Sequence, residues 1–305
     1  MPSIYDCSDP DELLTGTRLA RQALGRGELV VIPTDTVYGV AADAFNAAAV
    51  QRLLDAKGRG RQSPPPVLIP DLKTLDALAA TVPEEARQLA EAFWPGGLTI
   101  VLNAQPSLMW DLGETHGTVA LRMPNHKLAL ELLGETGPLA VSSANKTGLP
   151  AAKTATDAEG MLGDSIAVYL DAGLAGAVYD GVTESGASEA STIVDATGLA
   201  EGRGVRILRQ GVISADELRA VIGDRLETPE QAAAADAAAA QPESAAETGD
   251  DAEPEPDAQA EPEPEPADAR AEPAAVPEAE PDAQAEPAAA PAGDGPPAER
   301  SDPEA

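Results

Sequence analysis

The stretch VVIPTDTVYGVAADA, residues 30–44, decides how this chain is read. Four apolar residues, Leu29 to Ile32, run into Pro33, and then Thr34, Asp35, Thr36 and Tyr38 crowd together before Gly39 and a second run of small apolar residues. The first run reads as a buried strand. Loops at strand ends lie where ligands approach, so a strand that ends in hydroxyls is one way to build a polar pocket on a rigid edge. A threonine-rich strand end that caps its own backbone gives the same pattern, and the spacing alone does not separate the two.

On either side of this stretch, helical and extended segments alternate. Residues 9–26 predict a helix, with Asp9 as N-cap and Gly27 just past the end. Residues 46–57 predict a second helix, ending at Lys57 before Gly58; further helices are expected at 72–80, at 83–93 with Pro83 at the first position, at 126–135, and from Ser214 onward. Strands are expected at 29–33, 67–69, 98–103, 118–123, 138–143, 166–170, 191–195 and 205–209. Interleaved strands and helices imply an α/β domain, and the irregular strand spacing implies a mixed sheet rather than a simple doubly wound one.

The composition changes near residue 227. From Glu227 to Ala305 there are 23 acidic residues, two basic ones (Arg270 and Arg300) and no Phe, Trp or Tyr. Such a segment cannot bury enough apolar surface to offset its ordering entropy. The expected organisation is therefore a folded domain over 9–225 and a disordered Ala/Pro/Glu-rich tail over 226–305. The repeated EPDAQAEP, at 255–262 and 280–287, fits low-complexity expansion. Of the formal charge of −32 the tail carries −21, which leaves −11 for the first 226 residues.

The single cysteine, Cys7, excludes an internal disulfide, and the acidic start MPSIYDCSDPDELL has no signal-peptide pattern. No apolar run approaches the roughly 18 residues of a membrane helix. A cytoplasmic protein without a membrane partner is the expectation.

Two further segments carry chemistry. AKGRGR, 56–61, places Lys57, Arg59 and Arg61 on a glycine-flexed turn at a helix end. Cations there pair with the helix dipole. They also suit a triphosphate, since Arg pairs phosphate oxygens bidentately and Lys acts as a point charge. No GxxxxGK[ST] loop is present, so this is not a P-loop enzyme. AVSSANKTG, 140–148, is a buried strand ending in Ser142, Ser143 and Asn145, small polar groups suited to phosphate or ribose, or simply to a turn. Phe93 and Trp94 are expected in the core. His116 and His126 have no partners at metal-ligand spacing.

PTDTVYG, then KGR, FWPGGLT, VALRMP and SSANKTG in that order, followed by STIVDAT (191–197) and ILRQG (207–211), resembles the YrdC-like family of L-threonylcarbamoyladenylate synthases. The resemblance spans about residues 14–213. It implies an α/β domain on a twisted mixed sheet with flanking helices and a large concave cavity, in the short form of the family. It also implies a nucleotidyltransferase reaction in which L-threonine, bicarbonate and ATP give threonylcarbamoyl-AMP, pyrophosphate and water, with Mg²⁺ on the triphosphate. The intermediate would pass to downstream tRNA threonylcarbamoyl-transferase proteins that modify the adenosine next to the anticodon, so tRNA contact by this chain is not required. By similarity Thr36, Arg122 and Ser191 would hold L-threonine. Arg59, Ser63, Thr118, Ser143 and Arg209 would contact ATP, and Lys57 and Asn145 would complete a catalytic set with Arg59 and Ser143. Asp35 is a candidate partner for the amine or the metal.

Three positions depart from the family pattern: Leu68 in SPPPVLI where a histidine is common, Gly97 where proline is frequent, and Ala151 in AAKT where a serine is usual. Two other readings remain. A non-catalytic RNA-binding module of the same fold would normally show a basic excess and exposed aromatics, whereas this chain is acidic and 3% aromatic. A carbamoyl-transfer module like that of hydrogenase maturation proteins would normally have acylphosphatase and zinc-finger-like neighbours, which this sequence lacks.

Overall fold

The computed structural model of the chain describes residues 3–179 and 188–239. Ten strands form one mixed sheet: β1 (Ser3–Asp6), β2 (Val30–Ile32), β3 (Gly39–Asp43), β4 (Val67–Leu68), β5 (Leu98–Asn103), β6 (Thr118–Arg122), β7 (Leu139–Ser143), β8 (Val168–Asp171), β9 (Thr192–Asp195) and β10 (Arg206–Arg209). Their spatial order is β1-β8-β2-β3-β7-β4-β6-β5-β9-β10. The pairs β1/β8, β2/β8, β4/β6 and β5/β9 are parallel, and the other five are antiparallel. The mixed sheet expected from the sequence is the one observed.

The helices among the described residues are α1 (Pro10–Gly25), α2 (Ala47–Lys57), α3 (Leu72–Leu78), α4 (Glu84–Phe93), α5 (Lys127–Thr136), α6 (Ala155–Leu162), α7 (Ala215–Ile222) and α8 (Pro229–Ala239). Local chemistry explains their ends. Asp9 accepts hydrogen bonds from the Asp11 and Glu12 N–H groups at the start of α1, and Ser214 and Glu217 form a reciprocal capping box on α7. Gly58 ends α2 at φ 62°, a left-handed conformation that glycine adopts without penalty. Pro83 is the N-cap of α4 rather than its first residue. Strands β1 and β3 and helix α6 were not anticipated. Structure also begins ahead of the expected domain start at residue 9, and α8 follows the expected end at 225. The remainder of the expected tail, 240–305, lies outside the described residues.

Three apolar clusters cover the sheet unevenly. Leu29, Val31, Val40, Ala42 and Leu53 belong to a cluster built with α2 and α6, while Val30, Ile32, Leu139, Leu24 and Leu132 belong to one built with α1 and α5. Alternate residues of β2 thus enter opposite cores, and this half of the sheet is buried on both faces. In the other half, Leu98, Ile100 and Leu102 of β5, Val119 and Leu121 of β6, and Val194 of β9 pack with Leu75, Leu89 and Leu218 from α3, α4 and α7. Trp94 joins this cluster and Phe93 packs on it, as expected; the Trp94 indole N–H donates to the Leu98 carbonyl at 2.7 Å. The intervening side chains, Thr99, Val101, Ala120, Arg122 and Ile193, face a cavity instead.

Candidate functional site

The period-two alternation of strands places this cavity. Leu68 pairs with Arg122, Val101 with Ala120, Asn103 with Thr118, Thr99 with Ile193, and Ile193 with Arg209. Residues directly opposite each other share a face, so one face of β4-β6-β5-β9-β10 carries Arg122, Thr99 and Arg209 in adjacent positions. The cavity above them has a volume of about 350 Å³. Arg59 and Pro64–Pro66 close one side, and Thr34, Val37 and Gly39, from the segment that opened the sequence analysis, form another.

Charge is the cavity's most informative property. Arg59, Arg122 and Arg209 line it, and among the described lining residues there is no Asp, Glu, Lys or His. Burial, and then the nearby Arg122 and Arg59, push the Arg209 guanidinium below its ordinary value. Three like charges around one space in an acidic domain make a site for a polyanion.

Each arginine is held by neighbours. Arg59 Nη1 donates to Ser142 Oγ at 3.3 Å. Arg209 donates through Nε and Nη2 to the Ser191 carbonyl at 3.1 and 2.7 Å, and through Nη2 to Ser191 Oγ at 3.1 Å. Ser191 Oγ in turn lies 2.9 Å from Thr99 Oγ1. Arg122 donates from Nε to the Gly96 carbonyl at 2.9 Å and from Nη2 to Asp35 Oδ1 at 2.7 Å.

The structure sorts the expected site residues. Arg59, Thr118, Arg122, Ser143, Ser191 and Arg209 all line the cavity. Thr36 and Ser63 do not. Thr36 is fully buried with its hydroxyl 3.2 Å from that of Thr34, which takes the lining position, and Ser63 lies in a turn whose following prolines reach the wall. Lys57 is not on the wall either. Its ammonium, 1% exposed, donates to the Ser143 carbonyl, to the Asn145 carbonyl at 2.7 Å and to Asn145 Oδ1 at 3.2 Å. Burial and the Arg59 charge push it down to about 7, while three accepting oxygens favour keeping its proton.

Asn145 is equally committed. Its Oδ1 also accepts from Ser143 Oγ at 2.6 Å, and its Nδ2 donates to the Leu149 carbonyl at 2.6 Å. Lys57 and Asn145 thus tie α2 to the loop after β7, directly behind Ser143 on the cavity wall. Asp35 is engaged as well. Its Oδ1 accepts from Arg122 and from the Asn125 N–H at 3.0 Å, and its Oδ2 from the Tyr179 hydroxyl at 3.0 Å. No group of three or more His, Cys, Asp or Glu side chains suited to a metal occurs among the described residues.

Thr34 and Ser142, named as polar candidates from the sequence, line the cavity; sequence reasoning did not select Thr99 or Ile193, which also line it, or Tyr179, which supports it. For Thr99 a signal existed: a lone hydroxyl between Leu98 and Ile100 marks the face of β5 that is not core. Tyr179 had none, being 144 residues from Asp35. At Gly97, a Cβ would stand 2.9 Å from the Tyr179 hydroxyl and overlap Val212, so the close approach of those chains accounts for glycine there.

Comparison with known proteins follows the same lines. A Sua5/YciO/YrdC family model, described as "Telomere recombination", matches residues 22–211. A Mycobacterium leprae protein, provisionally named threonylcarbamoyl-AMP synthase, is 50% identical over 223 residues, covering 73% of this chain and 95% of its own length. The Bacillus subtilis threonylcarbamoyl-AMP synthase is 40% identical over 220 residues, 70% of this chain and 59% of that protein. Among solved structures, Pyrococcus abyssi Sua5 complexed with L-threonine aligns with a TM-score of 0.60 and 34% identity over 69% of this chain and 58% of that one. Escherichia coli YciO shares the fold, with a TM-score of 0.60 at 19% identity, over 72% of this chain and 100% of its own.

Proposed function

The chain belongs to the Sua5/YciO/YrdC family, and we propose that it is a threonylcarbamoyl-AMP synthase acting on L-threonine, bicarbonate and ATP. The observation that carries this reading is the cavity lined by three arginines from separate segments and, among the described residues, by no carboxylate. All three substrates, an amino acid with its carboxylate, bicarbonate and a triphosphate, present anionic groups that the protein must hold. Sua5 of Pyrococcus abyssi has been solved with L-threonine, and that relative aligns over 69% of this chain.

In this reading Arg122 pairs with the threonine carboxylate, with Ser191 and the Thr34–Thr36 hydroxyls nearby. Arg59 and Arg209 take the triphosphate, with Ser143 and Thr118 completing the ATP contacts and Ser63 acting through the turn it begins. The amine nitrogen bonds to the bicarbonate carbon, and one oxygen leaves as water. An oxygen of the resulting carbamate attacks the α-phosphorus of ATP, and the bond to the β-phosphate oxygen breaks to release pyrophosphate. No side-chain nucleophile is needed. The protein aligns the reactants and stabilises charge on the phosphates.

Mg²⁺ commonly accompanies ATP through phosphate oxygens and one or two carboxylates. Here Asp35 beside the cavity is paired to Arg122, and no metal-suited group of His, Cys, Asp or Glu occurs among the described residues, so those residues do not fit a protein-held ion and no step above runs through one. The product would be handed to the proteins that modify tRNA. No helix among the described residues is long and apolar enough to cross a membrane, and the reaction's soluble substrates suit a cytoplasmic setting.

The test is pyrophosphate release from ATP by the purified protein, with and without L-threonine and bicarbonate, for the wild type and Arg59→Ala. Release that needs both co-substrates and falls by about 100-fold or more in the variant is expected, the usual scale for losing one charge-stabilising donor. Turnover absent or indifferent to threonine in a folded protein would overturn the reading and favour the binding-module alternative.

A further inference from the structure

Three arginines share one cavity, yet the reaction needs them to serve two different anions. A mobile guanidinium would follow the stronger field, and a triphosphate would draw all three. The structure contains a device that opposes this. Asp35 has a side chain only 1% exposed and is ion-paired to Arg122, itself 7% exposed, at 2.7 Å. Removing two charges from water is costly, so a buried pair of this kind is weak evidence of a stabilising role and calls for another explanation.

We propose that Asp35 is a positioning residue that reserves Arg122 for the amino acid, an inference that rests on the synthase reading above. The guanidinium is planar, and two of its donors are fixed on one edge, Nε by the Gly96 carbonyl and Nη2 by Asp35. Two anchored donors set the plane of the group. Its Nη1 end, which has no hydrogen-bond partner among the described residues, remains for a ligand carboxylate. Asp35 is itself held from two directions, by the Asn125 N–H in the turn between β6 and α5 and by the Tyr179 hydroxyl from the 177–179 turn. Burial and Asp35 together push the Tyr179 hydroxyl above its ordinary value, which keeps it the donor in that contact.

The experiment compares wild type, Asp35→Asn and Tyr179→Phe in the pyrophosphate assay, measuring KM for L-threonine and for ATP separately, with thermal unfolding of each protein. Asp35→Asn is expected to raise the threonine KM by about tenfold or more, the scale of a modest misplacement of a binding group, while the ATP KM stays level or falls as Arg122 turns to the phosphates. Tyr179→Phe should raise the threonine KM by about two- to fivefold with ATP unaffected, since the ion pair survives. Equal changes in both constants, or none, would overturn the proposal. Should Asp35→Asn fail to fold, Tyr179→Phe decides it alone, an unchanged threonine KM counting against. Failure of the synthase reading is distinguishable, because the wild type would then show no threonine-dependent turnover.

Discussion

The two halves of the sheet are made from similar strands and put to opposite use. In the half around β2 and β3, every side chain of β2 is buried, and successive residues feed two different cores. In the half around β5 and β6, one face is equally sealed by Leu98, Ile100 and Leu121, while the other turns Thr99, Arg122 and Ile193 to open space. Removing the helix layer from one quadrant of a sandwich costs apolar burial and yields a cavity on a rigid floor. Apolar burial and the open cavity face therefore involve different side chains and can be disturbed separately.

The junction between them should be the most sensitive point. Lys57 ends a helix of the closed half and reaches to the loop that borders the cavity. Lys57→Met leaves the Ser143 and Asn145 oxygens without their donor, and a loss of about 3–5 kcal/mol in unfolding free energy is expected from denaturant titration, together with most of the activity. Within the closed half, Leu53→Ala removes a fully buried side chain and should cost about 2–5 kcal/mol with the threonine and ATP constants unchanged. Val101→Ala on the cavity wall should reverse that pattern, shifting stability by less than about 1 kcal/mol while altering the ATP KM. Equal stability losses in these two variants would break the comparison.

The smallest effect is expected from pH. His126 caps α5 with its Nδ1 buried and without a partner among the described residues, and burial lowers its pKa from 6.5 against an opposing pull from Asp35. The unfolded chain takes up the proton first as pH falls. The stability His126 contributes is thus intact above about 6.5 and is lost as pH drops through the lower folded value. His126→Gln should flatten the slope of unfolding free energy between pH 7 and 5, and an unaltered slope would assign it to other groups.

How much of this was legible in the sequence follows from the range of each signal. Helix ends carried by short-range chemistry, Asp9, Asn46, Gly58 and Ser214, stand where the pattern put them. Strand β3 is missing from the expected strands because Gly39–Asp43 is composed of small residues that fit a strand only beside β2 and β7. Likewise β1 is a short, partly exposed edge strand with no apolar run to announce it. For the site, motif resemblance pointed to the three arginines and to Ser143 and Thr118. It could not show that Lys57 spends its charge on carbonyls 86 and 88 residues away, since those acceptors are backbone atoms that any residue supplies. The same applies to Asp35, whose commitments reach 87 and 144 residues along the chain.

The crowding of Arg59, Arg122 and Arg209 has one more consequence. Arg209 feels the charges of Arg122 and Arg59 on top of its burial, and the fold holds all three in place before any ligand arrives. An anion that enters relieves tension instead of creating order. In the proposed reaction pyrophosphate would meet the same charges as ATP, which would make the departing product a competitor for the place it has just left and its escape a step at which turnover is governed.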